Sequence, residues 1–464
     1  MSKKVLFVEP EGAYSNVFAR AMKIPLLGPV YLATIASQAG YKAEIINENI
    51  IEREINEEEL APVDILALSC MTTTIDRGKK IAKNYKKLRK SKGLESKTIV
   101  GGIHASMLPE DVQDDFDQVF VGECDKNTLL GILSGDITDK IVHGSPIQDL
   151  DSLPFPDFTL IKGHKKMKTV PVMTSLGCPN DCDFCSVVKM FGREVRHRSN
   201  ENILEELERY KQGHIFFVDD NFTASPKRLE SLLESMIASG FSTPWTAQTT
   251  VKIAKRHDLV AKMKQAGCLI GYFGFEGVTD EALKALGKKQ SVEEIEKAIR
   301  IFHENQIYVF GMFMAGMDSD TLETFREITE FCRRNEVDFF QLMSLTPLPG
   351  TRLRDSYQQQ GRILTDDWRQ YDGLHVVNTH PNLTPSQLQE GIIKCYSDFY
   401  RFRDVPSVYL RSLRSFPNNP SPSYPALMRI KGKYIIKRWL LSESNQKYRQ
   451  NLEDVSQKIK KLFD

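Results

Sequence analysis

The sequence SLGCPNDCDFCSVV, residues 175–188, decides the fold of this 464-residue chain. It places Cys178, Cys182 and Cys185 in a CxxxCxxC pattern at the end of a strand-like apolar run. Three thiolates this close along the chain can hold one iron–sulfur cluster, and a cubane held by only three side chains leaves one iron without a protein ligand. The alternative is a structural zinc site, which requires a fourth Cys or His. His197 is the nearest candidate, and it lies outside the usual spacing.

Around this cysteine loop, β-rich apolar runs alternate with helical patterns between residues 168 and 365. A helix after each strand predicts a parallel sheet. Because a closed barrel has eight repeats, six of them predict a partial, TIM-like (β/α)6 barrel. The six runs are TVPVMTSLG (169–177), HIFFVDD (214–220), WTAQTTV (245–251), LIGYFGFE (269–276), YVFGMFMAG (308–316) and DFFQLMSLTP (338–347).

Polar residues and glycines follow these strands, at the end of a barrel where binding and catalytic groups lie. The residues in question are Asp219, Asp220, Asn221, Gln248, Glu276, Gly316 and Met317. The two aspartates could instead cap the following turn, because Asp accepts hydrogen bonds from free backbone N–H groups. The sequence LTPLPGT, residues 345–351, contains two prolines and predicts a rigid loop at the floor of a pocket.

The cysteine loop resembles that of the radical S-adenosylmethionine (SAM) superfamily. The CxxxCxΦC motif of that superfamily, in which Φ is aromatic, is matched by Cys178, Cys182, Phe184 and Cys185. The resemblance implies a [4Fe-4S] cluster on the three cysteines, with SAM on the open iron and Phe184 beside the adenine. It also implies reductive cleavage of SAM to a 5′-deoxyadenosyl radical. The electron would come from an external flavodoxin- or ferredoxin-like donor.

The resemblance extends loosely to the ends of the other barrel strands. Asp219, Gln248, Glu276 and Gly316 match positions at which members of the superfamily contact SAM. Glu276 is the best candidate for accepting hydrogen bonds from the ribose hydroxyls. The alternative for Glu276 is a structural carboxylate.

Residues 1–140 predict a separate α/β domain of five parallel strands, similar to Rossmann or flavodoxin-like folds. The absence of GxGxxG after the first strand weakens a dinucleotide-binding interpretation. Residues 141–167, rich in Pro, Asp and Gly, predict a linker to the barrel domain at 168–365. Residues 366–464 predict a small, mainly helical C-terminal region that ends in a basic tail.

The first domain resembles the cobalamin-binding domain found ahead of the barrel in some radical SAM enzymes. Four segments carry this resemblance: PLLGPVYLATIASQAGY (25–41), SCMTTT (69–74), GGIHAS (101–106) and VGECD (121–125). Small residues allow a bulky ligand to approach the backbone, and hydroxyls offer hydrogen bonds to it. The expected cobalamin contacts are Ser69, Thr72, Gly101, Gly102, His104, Gly122 and Glu123.

One feature of many cobalamin proteins is absent from this chain. Their DxHxxG loop, which supplies a histidine to cobalt, is replaced by EPEGAYSN at residues 9–16. His104 follows a later strand and is expected to line the pocket for the nucleotide tail or to bind backbone rather than cobalt. A domain that has lost cobalamin is the alternative.

Composition restricts the partners. With 62 basic and 61 acidic residues, the chain carries no overall charge that would attract nucleic acid. The N-terminus resembles neither a signal peptide nor a membrane span, so we expect a cytoplasmic protein with reduced thiols.

Residues 429–464 contain ten Lys or Arg and four acidic residues, interleaved with Tyr434, Ile435, Ile436, Trp439 and Leu440. This tail predicts either peripheral contact with a membrane or an ordinary solvated helix face.

These patterns together predict a cobalamin-dependent radical SAM enzyme that methylates an unactivated carbon of a small-molecule or lipid-like substrate. A ring-forming oxidase similar to the porphyrin cyclases of the superfamily would use the same cofactors. A third possibility is a non-catalytic protein that binds an iron–sulfur cluster or a corrinoid. Substrate contacts lie in loops whose specificity one sequence does not reveal.

Overall fold

The computed structural model describes residues 2–12, 23–211, 213–416 and 423–463, with side chains up to residue 459. It contains two six-stranded parallel sheets and a helical C-terminal region. The predicted fold class is confirmed. None of the described helices combines the length and the apolar character needed to cross a membrane.

The first sheet has the strand order β2-β1-β3-β4-β5-β6. Its strands are β1 Lys4–Glu9, β2 Lys42–Asn47, β3 Ile65–Ser69, β4 Lys97–Gly101, β5 Gln118–Val121 and β6 Ile141–His143. The helices of this domain are α1 Leu27–Gln38, α2 Glu48–Ile51, α3 Glu57–Leu60, α4 Ile75–Ser91, α5 Ile103–Met107, α6 Pro109–Val112 and α7 Lys126–Ser134. Apolar clusters fill both faces of the sheet, as expected for parallel strands covered by helices.

The sixth strand is a difference from the five predicted strands. β6 pairs with β5 through three residues and lies within the segment predicted as a linker. Ile161, from the same segment, forms a bridge with Ile45 of β2. The stretch therefore continues the first domain instead of crossing open solvent.

The second sheet follows sequence order, β14-β13-β12-β11-β10-β7, and contains all six predicted strands. Its strands are β7 Thr169–Val172, β10 His214–Phe217, β11 Trp245–Thr249, β12 Cys268–Glu276, β13 Tyr308–Ala315 and β14 Phe339–Ser344. Two further strands, β8 Ser175–Leu176 and β9 Arg196–His197, form an antiparallel pair around the cysteine loop. The helices are α8 Val187–Phe191, α9 Asn200–Leu207, α10 Pro226–Ala238, α11 His257–Gln265, α12 Asp280–Ala285, α13 Val292–Glu304, α14 Thr324–Arg334 and α15 Arg352–Gln359.

The C-terminal region packs on the second sheet. Its helices are α16 Pro385–Phe399, α17 Val405–Ser415, α18 Tyr424–Leu440 and α19 Glu443–Phe463. The Tyr396 hydroxyl donates to the carbonyl of Leu342 in β14. Ile436 and Trp439, two apolar residues of the predicted basic tail, lie in the main core of the second domain. The tail is therefore an integral part of the domain rather than an extension from it.

Candidate active site between the two sheets

The cysteine loop is held at its two ends by β8 and β9, so Cys178, Cys182 and Cys185 lie in one loop directly after the first barrel strand. The N–H of Cys185 donates to the carbonyl of Cys182 across 3.1 Å, which turns the chain tightly between these two cysteines. All three cysteines are half-buried free thiols. The strand-to-loop context expected for the motif is present.

The three thiols share one electrostatic environment. Burial raises the pKa of each of them, and Cys185 also interacts electrostatically with Cys178 and Cys182. Among the described residues, no three or more Cys, His, Asp or Glu side chains surround the position of a single metal ion. Structural zinc needs such a set of four ligands, whereas each thiolate of a cubane binds a different iron. Three thiolates in one loop fit a cluster with one open iron, held by Cys178, Cys182 and Cys185.

Two adjacent aspartates support the base of the loop. The buried carboxylate of Asp219 accepts hydrogen bonds from the Thr174 N–H at 2.7 Å and from the Ser175 hydroxyl at 2.8 Å. Asp220 accepts from the N–H of Gly177 at 3.2 Å, and burial raises the pKa of Asp220 to about 6. Asp219, expected to contact SAM, therefore uses its carboxylate to fix the strand that leads into the cysteines.

Glu276 ends β12 in an unusual conformation, with a φ of 64°. Its carboxylate lies over Gly274, where a Cβ would come within 2.5 Å of Oε1. Lys288 Nζ forms an ion pair with the same oxygen, at 2.7 Å. Left-handed backbone at a residue other than glycine is costly and is found where surrounding structure enforces it. The sheet edge thus holds an acidic and a basic side chain in a fixed pair beside the thiols.

Lys288 is the main functional candidate that the sequence analysis missed. Burial opposes its charge, yet Glu276 and the thiol of Cys182 raise the pKa of Lys288 above its usual value. Its Nζ also lies 5.9 Å from the centre of the Phe184 ring. No local sequence signal distinguishes this lysine from Lys289 beside it, because its role arises only from tertiary proximity.

Phe184 lies in an apolar cluster with Leu286, Met317 and Leu345 at the ends of the barrel strands. Leu345 begins the loop predicted as a pocket floor. Helix α15, which follows that loop, contacts the cysteine loop, since the Leu353 N–H donates to the Asp183 carbonyl at 3.1 Å. Phe184 is therefore placed beside the cysteines, as the motif predicts, with an apolar wall behind it.

The remaining predicted barrel residues lie at the same edge of the sheet. Gln248 is half-buried, and its side chain makes no hydrogen bond to any described residue. Gly316 has a φ of 104°. Its N–H and that of Met317 both donate to Asp320. The amide of Gln248 is thus available to a ligand, while the turn at Gly316 is closed on itself.

At the end of the first sheet, Glu123 is committed to a contact between the domains. Arg196 of β9 donates to both of its carboxylate oxygens, at 2.8 and 2.6 Å. The Ile147 N–H adds a third hydrogen bond at 3.0 Å. Both charged side chains are buried, with exposed fractions of 5% and 7%. The structure therefore places Glu123 as an anchor for the cysteine loop, where a cobalamin contact was expected.

His104 and Gly102 are also used internally. The His104 ring is fully buried, 3.1 Å from Asp111 through Nε2 and edge-on to Trp368 at 5.3 Å. Gly102 has a φ of 94°, and a Cβ there would lie 2.6 Å from the carbonyl oxygen of Cys70. A larger residue at 102 would collide with backbone before it reached a ligand. The left-handed backbone and the nearby carbonyl therefore require glycine at position 102 independently of any nucleotide tail.

Other predicted contacts in the first domain remain open to a ligand. The hydroxyls of Ser69 and Thr72 make no hydrogen bond to any described residue. A Cβ on Gly101 would make only an ordinary contact with Phe120, at 3.7 Å. Gly122 has a φ of 89° and donates its N–H to Ser106. These free hydroxyls and small residues fit a large cofactor at the strand ends. Of the loop that lacks histidine, residues 9–16, positions 13–16 lie outside the described residues.

The carboxyl-terminal ends of the strands in the two sheets face each other. Helix α5, directly after the paired glycines of β4, contacts α8, directly after the cysteines. Met107 of α5 also packs against Gly350 in the loop that follows β14. A cofactor on the first sheet would therefore lie close to one held by the cysteines.

Comparison with known families agrees with this geometry. Residues 172–332 match the radical SAM superfamily, and residues 17–128 match the B12 binding domain. The solved structure of the cobalamin-dependent SAM radical enzyme OxsB, with aqua-cobalamin and SAM bound, superposes with a TM-score of 0.70. That alignment covers 99% of this chain and 75% of OxsB at 15% identity, so it shows the fold alone.

Curated relatives share most of the chain at low identity. Bacteriochlorophyllide d C-12(1)-methyltransferase of Chlorobaculum tepidum is 25% identical, over 86% of this chain and 88% of its own length. The anaerobic magnesium-protoporphyrin IX monomethyl ester cyclase of Cereibacter sphaeroides is 25% identical, over 86% and 70%. Hopanoid C-2 methylase of Rhodopseudomonas palustris is 29% identical, over 61% of this chain and 56% of its own length.

The fold and the site define an iron–sulfur enzyme with a corrinoid-binding domain opposite its cluster. The chain carries a radical SAM domain with a B12 binding domain ahead of it, the arrangement of the cobalamin-dependent radical SAM group. The cofactors of this group are a [4Fe-4S] cluster, SAM and cobalamin. The chain is an enzyme, which removes the alternative of a non-catalytic binding protein.

Proposed function

We propose that the enzyme transfers a methyl group to an unactivated carbon of a polycyclic, largely apolar small molecule. The observation that carries this proposal is the facing arrangement of the two sheet ends, tied by Arg196 and Glu123. This arrangement brings the strand ends of the first sheet, where cobalamin would bind, next to the cysteine loop. The names of the methyltransferase relatives support the reaction type.

The residues at the cysteine loop have separate roles in binding the cluster, contacting SAM and positioning the loop. The three cysteines would hold the cluster, and Gln248 and Glu276 would contact SAM. With the cofactors bound, the cluster and SAM supply a radical that removes hydrogen, and cobalamin supplies the methyl group. Lys288 places a positive charge beside the thiolates, and Asp219 fixes the strand that leads into them.

The reaction site offers an apolar wall to its substrate. Beside the cysteines, Phe184 packs with Met317 and Leu345. Aromatic faces stack favourably on other planar or apolar rings. Bacteriochlorophyllide and hopanoid, in the names of two relatives, are both polycyclic.

The test is anaerobic turnover of the reconstituted enzyme with SAM, methylcobalamin, a strong reductant and polycyclic extracts from the producing cell. We expect 5′-deoxyadenosine and S-adenosylhomocysteine, both dependent on substrate, and a product heavier by one methylene group. 5′-Deoxyadenosine without S-adenosylhomocysteine, together with an oxidised or cyclised product, would instead establish the cyclase reaction of the porphyrin-type relative. The Cys182→Ala variant is the negative control.

A further inference from the structure

The helical hairpin formed by α17 and α18, with the preceding turn at residues 402–404, exposes two apolar stripes. In α18 the residues Leu427, Ile430 and Tyr434 recur at intervals of three and four residues, as on one face of a helix, and α17 exposes Leu410 and Leu413, three residues apart. Leu410 is 60% exposed and Tyr434 is 70% exposed, although large apolar side chains usually avoid such positions. The stripes consist of Phe402, Tyr409, Leu410 and Leu413 on one side and Tyr424, Leu427, Ile430, Tyr434 and Leu441 on the other.

The opposite face of the same hairpin is a normal core surface. Val408 and Ser412 of α17 are buried, as are Ile436 and Trp439 of α18. The Ser412 hydroxyl is 2.7 Å from that of Tyr308. The hairpin is therefore firmly docked, and the outward stripes are apolar surface in excess of what its packing requires.

The helices that carry these stripes are also rich in basic residues. Residues 405–442 contain seven Lys or Arg and no Asp or Glu. Arg411 pairs with Asp338 at 2.6 Å, and Arg429 is buried 3.5 Å from the centre of the Phe399 ring. The other five form no ion pair with any residue that the structure describes: Arg414, Lys431, Lys433, Lys437 and Arg438.

Helix α4 of the first domain shows what an ordinary basic helix looks like in this molecule. Its Lys79 pairs with Asp111 at 2.9 Å, and its Lys86 pairs with Asp117 at 3.0 Å. None of its described side chains is a large exposed apolar group. Four further lysines of α4, namely Lys80, Lys83, Lys87 and Lys90, form no ion pair with a described residue. The hairpin therefore differs in one respect, because its unpaired positive charge adjoins exposed apolar side chains.

We propose that the α17–α18 hairpin docks on the surface of an anionic lipid bilayer. Unpaired Lys and Arg are attracted to anionic headgroups, and Leu and Tyr side chains enter the boundary between headgroups and acyl chains. Charge complementarity selects this occupant over a neutral partner. The helix that follows, α19, is not included, because its Arg449 pairs with Glu390 and its Lys447 with Glu443.

Docking through this hairpin would leave the reaction site free. Arg411 binds Asp338, the residue before β14, and Ser412 meets Tyr308 at the start of β13. The hairpin therefore lies at the amino-terminal ends of these strands, opposite the cysteine loop. The inference does not depend on the proposed methylation.

The experiment is cosedimentation of the full-length protein with vesicles of phosphatidylcholine alone or mixed with phosphatidylglycerol. We expect binding to the mixed vesicles that weakens as salt is added. Lys431→Glu with Lys437→Glu should weaken it about tenfold or more, since each basic residue near an anionic surface contributes about fivefold. Leu410→Ser with Tyr434→Ser should also reduce binding, at unchanged net charge.

The matched control is Lys83→Glu with Lys87→Glu, which changes net charge equally at two exposed lysines of α4. Thermal unfolding of each variant checks that it is folded. Equal loss of binding in the control and hairpin variants would overturn the proposal, because overall charge would then explain it. Absence of wild-type binding to mixed vesicles, or self-association that only the hairpin variants abolish, would also overturn it.

Discussion

The carboxyl-terminal ends of the two sheets use their polar residues differently. At the second sheet, Lys288 and Glu276 form a fixed pair beside three thiols, and the Gln248 amide has no hydrogen-bond partner among the described residues. At the first sheet, Glu123 and His104 are engaged with Arg196 and Asp111. The second end keeps polar groups beside the cysteines, whereas at the first end Glu123 holds the two domains together and His104 bonds within its own domain.

This difference shows that functional roles can be assigned from a sequence motif when its residues are close together, and less well when they are dispersed. The cysteine motif fixes chemistry within eight residues, so its geometry follows from local sequence. The first-domain segments are scattered over several strand ends, and each side chain there has nearby protein partners that compete with a ligand. Ser69 and Thr72 have no such partner among the described residues, so they are the better candidates for cobalamin contacts.

The largest expected effect is at the cysteine loop. Cys182→Ala should abolish both the cluster iron and the formation of 5′-deoxyadenosine, because a cubane with two thiolate ligands is not held. Iron analysis and absorption spectra of air-free protein measure this. Cys124→Ala, at a half-buried thiol of the first domain, should retain full iron. A full four-iron complement in Cys182→Ala would contradict the assignment.

The next effect concerns the link between the domains. Arg196→Met should destabilise the protein by about 3–5 kcal/mol, because it leaves the buried charge of Glu123 unpaired. Urea unfolding measures the loss, and adding Glu123→Gln to Arg196→Met should recover part of it. Lys447→Met, which breaks an exposed pair with Glu443, should leave the midpoint unchanged. An unchanged urea midpoint for Arg196→Met would show that the Glu123–Arg196 pair does not hold the two domains together.

The sequence predicts the second sheet well because buried parallel strands appear as continuous apolar runs bounded by turns. β6 is missed because it has only three residues between polar segments, too few for a pattern. Arg196 and Lys288 are missed for another reason. Their partners, Glu123 and Glu276, lie 73 and 12 residues away in sequence, and only the folded chain brings them together. The three cysteines are identified without the folded structure, because their spacing along the chain is the signal.

A charge effect tests whether Lys288 belongs to the site. Removing its positive charge with Lys288→Met should lower the reduction potential of the cluster, because a nearby cation favours the more negative reduced state. Glu276→Gln should shift the potential the opposite way. Activity should fall about 10- to 100-fold in Lys288→Met, as for other residues that support metal ligands. Redox titration followed by paramagnetic resonance measures both shifts. Shifts of the same sign in the two variants would refute the electrostatic role.

The smallest effect is a pH dependence that originates at the end of β1. Burial raises the pKa of Glu9 to about 8, while hydrogen bonds from Leu26 and Asn47 oppose that rise. In the unfolded chain Glu9 releases this proton near its ordinary pKa of 4.5, so stability falls as pH rises from there towards about 8. Glu9→Gln cannot ionise and should therefore stabilise the protein by about 1–2 kcal/mol at about pH 8, with little effect below about pH 4. Urea midpoints across this range measure the difference. A gain of equal size at both pH values would show that packing, rather than ionisation of Glu9, sets the stability of this strand end.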